Sequence, residues 1–287
     1  MSTISGSCCE LLIPLSERKP LAEIERSIIK TYRLDLWSKF VKGVKEFKLV
    51  NEGDKIAVGI SGGKDSLLMA KLFQELQKHG DVPFELEFIA MDPGYYITNK
   101  ELLLSNCEYL GIPVKMFESG IFQVVDKIAN DYPCYLCAKM RRGALYSQAQ
   151  SLGCNKLALG HHFNDVIETT LMNMLYAGSF KTMMPKLKSQ NFKGLELIRP
   201  MYYIAEDDIK RFTMNAGLSP MNCGCVVAAK KTSSKRREIK ELIKKLKETS
   251  DDVDKCILKA AHNVNLDCVI GWKHHGESHT FIEDFED

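Results

Sequence analysis

Long apolar runs are missing from this sequence of 287 residues, and no stretch approaches the 18 or more apolar residues of a membrane-spanning helix. Residues 1–20 have no basic stretch followed by an apolar segment, so we expect no secretory signal. Prolines number only nine, and there is no internal repeat or low-complexity tract, which excludes fibrous and disordered classes. We therefore expect an ordinary globular chain in the cytoplasm, without a membrane partner.

An excess of charge of one sign is also missing, because 39 Lys and Arg nearly balance 37 Asp and Glu and the formal net charge is only +2. The charges are unevenly distributed, however. Residues 230–247 carry nine Lys or Arg against two Glu, whereas residues 277–287 are acidic. The basic segment indicates either a surface that faces nucleic acid or a solvated helix face.

Cysteine, in contrast, is abundant, with ten residues. Cysteines of a cytoplasmic protein stay reduced, so their presence points to metal binding or catalysis before disulfides. Four of them lie singly in stretches with apolar periodicity and are expected to be small buried hydrophobes. These four are Cys107, Cys154, Cys256 and Cys268.

The apolar pattern alternates between strands and helices along most of the chain. Short β-branched runs at 55–60, 84–92, 112–118, 156–162 and 195–201 are separated by segments with helical spacing. This order predicts an α/β fold, with a parallel sheet covered by helices on both faces. We expect three regions: an N-terminal helical arm (1–50), the sheet domain (51–204) and a basic helical C-terminal lobe (205–287).

The sequence SGGKDS follows the first predicted strand and opens a helix. Glycines there let backbone N–H groups approach a phosphate, and the helix N-terminus favours negative charge. The loop is not a Walker A motif, because Val58 occupies the first glycine position and Asp65 follows the lysine. A tight turn without a ligand is the alternative. Ligands of parallel sheets bind at the carboxyl ends of strands, so we expect Ser61, Asp92, Cys134 and His161 to converge.

S-G-G-x-D-S after the first strand resembles the signature of the PP-loop ATP pyrophosphatases, which have an adenine nucleotide alpha hydrolase-like fold and split ATP into AMP and pyrophosphate. The resemblance implies that the ATP phosphates bind the loop residues Ser61, Gly62, Gly63, Lys64, Asp65 and Ser66. Asp92, at the end of the second strand, is similarly placed to meet the nucleotide or its Mg²⁺, although a capping aspartate would look the same.

A second segment, LGHHFNDVIE, resembles the G-H-x-x-D-D motif of the same group. Gly160 and His161 match it and are expected at the nucleotide, whereas Asn164 replaces the first acidic residue. Asp165 is therefore expected to carry the acid or metal role alone. The alternative for His161 and His162 is that they only close the strand.

The C-x-x-C of Cys134 and Cys137 is compatible with a redox disulfide, a zinc site or an iron–sulfur cluster. Together with LIRPMYYIAEDDIKRF and KRREIKELI, the segment CYLCAKMRRGALY resembles the tRNA 2-thiocytidine synthetase (TtcA) family over residues 35–270. That family holds a [4Fe–4S] cluster by the first cysteine pair and one later cysteine. The resemblance also implies phosphate binding by the R-R-G segment, for which we predict Arg142.

The later cysteine pair departs from the family pattern, because a C-x-C of Cys223 and Cys225 stands where the family has a second C-x-x-C. Either cysteine, or both, would complete the set begun by Cys134 and Cys137. Four thiolates would leave no open iron to carry sulfur. Zinc accepts the same ligands and stays an alternative.

The resemblance implies ATP-dependent thiolation of a tRNA cytidine through an adenylated base. Its catalytic residues would be Lys64, Asp65, Asp165, Cys134 and Cys137, with ATP, Mg²⁺ and a [4Fe–4S] cluster as cofactors. A cysteine desulfurase or inorganic sulfide would donate the sulfur, and a homodimer is compatible with the sequence. The alternatives are thiolation or desulfuration of another acceptor, and a zinc-stabilised ATP-binding protein that docks RNA without sulfur chemistry.

Overall fold

The computed structural model describes residues 18–119, 121, 133–221 and 234–285, with the backbone alone described at 133–138, 234 and 284. The chain divides into two compact units, each made of two segments. The first unit comprises Met1–Val166 and Met184–Ser234, and the second comprises Ile167–Met183 and Lys235–Asp287. The three regions expected from the sequence stay a prediction.

A six-stranded sheet organises the described part of the first unit, in the order β3-β2-β1-β4-β6-β5. Its strands are β1 (Lys55–Ile60), β2 (Glu85–Asp92), β3 (Val114–Glu118), β4 (Lys156–Ala158), β5 (Lys186–Lys188) and β6 (Glu196–Ile198). The neighbours of β1 are both parallel to it, since Ile56 pairs with Leu86 on one side and Lys156 on the other. The predicted α/β class is confirmed, and the sheet, predicted to be parallel, is mostly so.

Strand β5 differs from this expectation, because it runs antiparallel to β6 at the edge of the sheet, with Leu187 opposite Leu197. No pattern in the sequence marks this strand, because Lys-Leu-Lys forms no β-branched run. A short edge strand that carries lysines, of which Lys188 is exposed, avoids pairing with other chains.

Helices connect and cover the strands. In chain order they are α1 (Leu21–Ile29), a π-helical turn (Arg33–Trp37), α2 (Ser38–Glu46), α3 (Lys64–His79), α4 (Ile97–Tyr109), α5 (Pro133–Ser151), α6 (Phe163–Ala177) and α7 (Glu206–Asn215). Helix α3 ends before Gly80 and α4 before Gly111, as the sequence predicts. Gly111 has a φ of +61°, a conformation that suits glycine at a helix end.

Both faces of the sheet are buried, and the period-two alternation of β1 shows why. Ile56 and Val58 belong to one apolar cluster, with α1, α2, α3 and α7, whereas Ala57 between them belongs to the cluster of α5. The predicted N-terminal helical segment contributes Ile28 and Phe40, both fully buried, to the first cluster.

The second unit contains α6 from Ile167 onward, together with α8 (Ser234–Thr249), α9 (Val253–His262), a 3₁₀ turn (Leu266–Cys268), a hairpin and α10 (Ile282–Phe285). The hairpin of β7 (Gly271–His274) and β8 (Glu277–Thr280) is an addition to the helices that the sequence predicts for this lobe. Its turn has positive φ at His275 (50°) and Gly276 (92°), which is the geometry of a two-residue hairpin. The sequence shows no alternation of apolar and polar residues that would predict this hairpin, because both strands are largely exposed.

The four single cysteines divide into two pairs. Cys107 and Cys154 are buried as expected, and burial raises the pKa of their thiols to about 12 and about 11. The same expectation is wrong for Cys256 and Cys268, which are exposed. Cys256 lies on the outer side of α9, and Cys268 lies in the short 3₁₀ turn, where neither meets a core.

Helix α8 buries only part of its predicted apolar stripe. Ile239 and Ile243 are buried, whereas Leu242 and Leu246 are 36% and 37% exposed. Over the part of the chain that the structure describes, no helix has both the length and the apolar character needed to cross a bilayer.

Candidate nucleotide site

The glycine loop between β1 and α3 is closed by the side chain of Ser66. Its Oγ accepts a hydrogen bond from Ser61 N at 3.1 Å and donates one to the carbonyl of Gly63 at 2.9 Å. Gly62 has a φ of +79°, and a Cβ there would lie 3.2 Å from the Cβ of Met221. Glycine is therefore required by the backbone angle and by the close packing. The loop brings backbone N–H groups to the N-terminus of α3, as an anion cradle needs.

The segment after β4 lies directly against this loop. A Cβ on Gly160 would lie 3.2 Å from the carbonyl carbon of Asp65 and 3.3 Å from Ser66 N. The absence of a side chain at Gly160 lets the His161 segment approach the first turn of α3. The predicted convergence of the two motifs on one edge of the sheet is therefore present in the structure.

A cavity of about 310 Å³ opens at this edge. Its polar lining comes from Ser61, Asp65, Ser66, His161, Asp165 and Arg141, and its apolar lining comes from Ile60, Met91, Leu145 and Leu159 with Tyr95 beside them. Apolar walls with a few converging polar groups are typical of a site for a nucleotide-sized ligand.

Lys64, the first residue of α3, lies among carboxylates. Its Nζ is 3.1 Å from Asp65 and 3.3 Å from Oε1 of Glu206, the first residue of α7. Glu206 in turn donates its backbone N–H to Oδ1 of Asn164 at 2.9 Å. Asn164, which departs from the motif that this segment resembles, thus caps α7.

His162 lies between two carboxylates of the site, those of Asp65 and Asp165. The Oδ2 atom of Asp165 accepts the backbone N–H of His162 at 3.0 Å, and the ring Nε2 of His162 lies 3.5 Å from the same oxygen. His162 is buried, and its Nε2 is also 3.8 Å from Oδ1 of Asp65. The structure therefore brings Asp65 and Asp165 to the imidazole of His162, for which the sequence predicts no chemical role.

Asp92 ends β2 and organises the following turn. It accepts the backbone N–H groups of Gly94 and Tyr95 at 2.9 and 2.8 Å, and Lys100 lies at 3.3 Å. Burial alone would raise the pKa of Asp92, but these hydrogen bonds and Lys100 outweigh it and lower the pKa below its usual value. Asp92 thus caps the turn that places Tyr95 at the cavity.

The arginines of α5 separate into two positions. Arg141 lines the cavity, whereas Arg142 is exposed. The assignment of Arg142 to the nucleotide stays a prediction, and Arg141 is the residue of the pair that the geometry brings to the site. Buried Arg199, just after β6, was not foreseen; burial, with the charge of Arg142 next, lowers its pKa to about 10.

The predicted cluster ligands can be placed only in part. Cys134 and Cys137 belong to the first turn of α5, and Cys223 and Cys225 lie outside the described residues. Positions 134, 137 and 141 are separated by three and four residues, so their backbone positions fall on one side of α5. Thiolates are the ligands that iron–sulfur clusters use, so this donor set fits such a cluster. Within the described residues, no group of three or more His, Cys, Asp or Glu is arranged to hold a metal ion.

Comparison with known proteins identifies the class first. The PP-loop domain family matches residues 36–221, more than half of the chain, so the chain belongs to that family. It is 38% identical over 227 residues to a tRNA-cytidine(32) 2-sulfurtransferase of Pelobacter propionicus, covering 78% of this chain and 83% of the relative. A protein of the same name from Geotalea daltonii is 35% identical over 248 residues, covering 85% and 95%. Among PP-loop proteins, the chain is thus a member of the branch that contains these sulfurtransferases.

A solved structure agrees with this placement. The U34-tRNA thiolase NcsA from Methanococcus maripaludis, solved with its [4Fe–4S] cluster, superposes with a TM-score of 0.63 at 25% identity. The match covers 81% of this chain and 80% of that chain. The resemblances noted in the sequence to the PP-loop proteins and to their tRNA-thiolating branch are confirmed.

Proposed function

We propose that this protein is an ATP-dependent tRNA sulfurtransferase that converts a cytidine to 2-thiocytidine. The glycine loop carries the proposal, because Gly62 and Ser66 shape an anion cradle beside Lys64 and a nucleotide-sized cavity. The similarity to sulfurtransferases named for cytidine(32) supports the choice of base. The similarity to a tRNA thiolase with a [4Fe–4S] cluster supports cluster-dependent thiolation.

ATP binds with its phosphates on the loop Ser61–Ser66. The C2 oxygen of the cytidine attacks the α-phosphorus, the bond to pyrophosphate breaks, and the base becomes adenylated. Backbone N–H groups at the start of α3 and the ammonium of Lys64 offset the charge that develops on pyrophosphate. Asp65 and Asp165 would hold Mg²⁺, because carboxylate oxygens suit that ion, and the ion would offset negative charge on the phosphates.

Cys134 and Cys137 would hold the cluster with Cys223 or Cys225 as a third ligand, which leaves one iron open for sulfur; ligation by both would leave none. When bound, the cluster supplies a Lewis-acidic iron site that favours deprotonated sulfide at neutral pH. Sulfur then forms a bond to C2 while the C2–O bond breaks, and AMP leaves with the electron pair. Inorganic sulfide in the cytoplasm would donate the sulfur directly, whereas the persulfide sulfur of a cysteine desulfurase would first need reduction by a two-electron reductant such as a thiol pair.

The two alternatives from the sequence have different consequences. Desulfuration would need no adenylation, and a zinc-bound docking protein would bind RNA without turning over ATP. The comparisons do not favour either, since the relatives and the solved thiolase are named for adding sulfur to tRNA. Two measurements distinguish a zinc protein from an iron–sulfur protein. Metal analysis identifies the bound metal, and an anaerobically purified cluster protein is brown whereas a zinc protein is colourless.

Mass spectrometry of tRNA nucleosides tests the proposal in cells that lack the gene. We expect 2-thiocytidine to disappear, to return with the wild-type gene, and to stay absent with Lys64→Ala. An unchanged thionucleoside profile in the deletion strain would overturn the function. Full rescue by Lys64→Ala would overturn the adenylation step alone.

A further inference from the structure

Lys64 is held by two carboxylates in a site that is built to bind phosphate. Asp65 is its neighbour in sequence, but Glu206 comes from a different helix, α7, and its Oε1 lies 3.3 Å from Lys64 Nζ. Both side chains are largely shielded from solvent, at 22% and 16% exposure, so the contact is weakened less by solvent than a surface pair would be.

The fold places Glu206 at this position by two further contacts. Asn164 accepts its backbone N–H at 2.9 Å, which fixes the start of α7 beside the Asp165 segment. The second carboxylate oxygen, Oε2, lies 3.4 Å from Lys210, one turn along the same helix. Glu206 can therefore release Lys64 and still keep a cationic partner and a fixed backbone.

We propose that Glu206 is a positioning residue that holds Lys64 when no phosphate is bound and competes with phosphate for its ammonium group. The inference rests on the proposed function, since it takes Lys64 as the residue that meets the ATP phosphates. Lys64 moves from Glu206 to the phosphates when ATP binds. Glu206 recaptures Lys64 after adenylation and so favours the release of pyrophosphate.

The charge of Glu206 determines the direction of the expected effect. The carboxylate withdraws Lys64 from the anion and also repels the anion itself, so its neutralisation strengthens phosphate binding. A purely structural role predicts the opposite, because a loosened α7 would weaken the site. Glu206→Gln keeps the shape and a hydrogen-bonding oxygen while removing the charge.

The test measures binding of inorganic pyrophosphate and of a non-hydrolysable ATP analogue to the full chain by calorimetry. We expect Glu206→Gln to tighten pyrophosphate binding roughly fivefold, the effect of a partly shielded ion pair. Product inhibition by pyrophosphate should strengthen to the same extent. The matched control is Asp207→Asn, since Asp207 is exposed on the same turn, pairs with Lys210 and should leave the affinity unchanged.

A second set of variants distinguishes two effects of Glu206: its competition with phosphate for Lys64, and its direct repulsion of the phosphate anion. In the Lys64→Ala background, Glu206→Gln should change pyrophosphate affinity by much less than in the wild type. Equal tightening in both backgrounds, or no tightening in the wild type, would overturn the inference. Failure of the wild-type protein to bind either ligand would instead overturn the proposed ATP site.

Discussion

Asp54 and Lys156 form a buried ion pair at the edge of the sheet opposite the nucleotide site. Their side chains are 6% and 2% exposed, and Asp54 also accepts hydrogen bonds from Asn51 N and from the side chain of Asn155. Burial by itself would raise the pKa of Asp54, but Lys156 and these hydrogen bonds lower it below its usual value. The pair joins the starts of β1 and β4, whose far ends carry the site.

We expect Asp54→Asn to lower the free energy of unfolding by about 3–5 kcal/mol at pH 7, because Lys156 would stay buried without its anion. Since the folded pKa of Asp54 is depressed, its stabilisation is present above its unfolded pKa near 4 and is lost as the pH falls below it. The difference between wild type and variant should therefore shrink below about pH 4. Urea unfolding at several pH values measures this, with exposed Asp81→Asn as a control that should change little.

Gly62 can be tested against a glycine with a similar backbone angle and open surroundings. Gly62 (φ +79°) meets Met221 and Leu103, whereas a Cβ on Gly153 (φ +71°) would meet no atom within 4 Å. Both alanine variants should lose about 1 kcal/mol or more of stability through backbone strain. Only Gly62→Ala should also weaken binding of an ATP analogue, by about tenfold or more, because its Cβ displaces the loop. Equal binding by both variants would contradict the assignment of this loop to the phosphates.

Helix α8 is anchored in the second unit through a buried carboxylate of α6. Glu168 is 2% exposed, and it accepts a hydrogen bond from Nε of Arg236 at 2.7 Å while Lys240 lies at 3.8 Å. Two cations of the basic segment therefore have a structural role. Nucleic-acid binding by this helix would fall to its outward residues, such as Lys244 and Lys245, which are exposed.

Glu168→Gln should lower the free energy of unfolding by about 1–2 kcal/mol, because a charge-assisted hydrogen bond is lost while the half-exposed cations regain water. Thermal unfolding provides the measurement. The control is Glu241→Gln, whose partner Arg237 lies 3.9 Å away on the exposed side of α8, and which should cost at most about 0.5 kcal/mol. A similar loss in both variants would mean that the buried pair is not the anchor.

Elements whose signal is local were predictable from the sequence, and those that depend on distant contacts were not. The run 55–60, the loop after it and helix α3 follow from strand, glycine and helix patterns within about 25 residues. Strand β5 and the hairpin of β7 and β8 are short and largely exposed, so no apolar periodicity marks them. Their pairing is set by their neighbours in space.

The candidate site divides in the same way. Ser61–Ser66, Gly160 and Asp165 were predictable because each belongs to a motif with fixed spacing. The roles of Glu206 and His162 were not, since both depend on chain segments that meet Lys64 or Asp65 only after folding. Arg141 and Arg142 are adjacent, so only the rotation of α5 relative to the sheet decides which lines the cavity.

The iron content of the purified protein can be predicted and measured without any assay of tRNA thiolation. Anaerobically purified protein should contain about four irons per chain and show broad visible absorbance, and Cys134→Ala should lose both. Cys107→Ala is the matched control, because Cys107 is a buried thiol and should leave iron content unchanged. Separate Cys223→Ala and Cys225→Ala variants then show which of the two is a ligand. A colourless wild type with one zinc per chain would contradict the cluster.

The closeness of Gly160 to the first turn of α3 has a consequence for motion. A Cβ at Gly160 would lie only 3.2 Å from the carbonyl carbon of Asp65, so the two segments are closely packed. We therefore expect the phosphate loop and the segment bearing His161 and Asp165 to move together. Amide hydrogens of both should therefore slow in exchange together when a nucleotide binds, even where only one of them touches it.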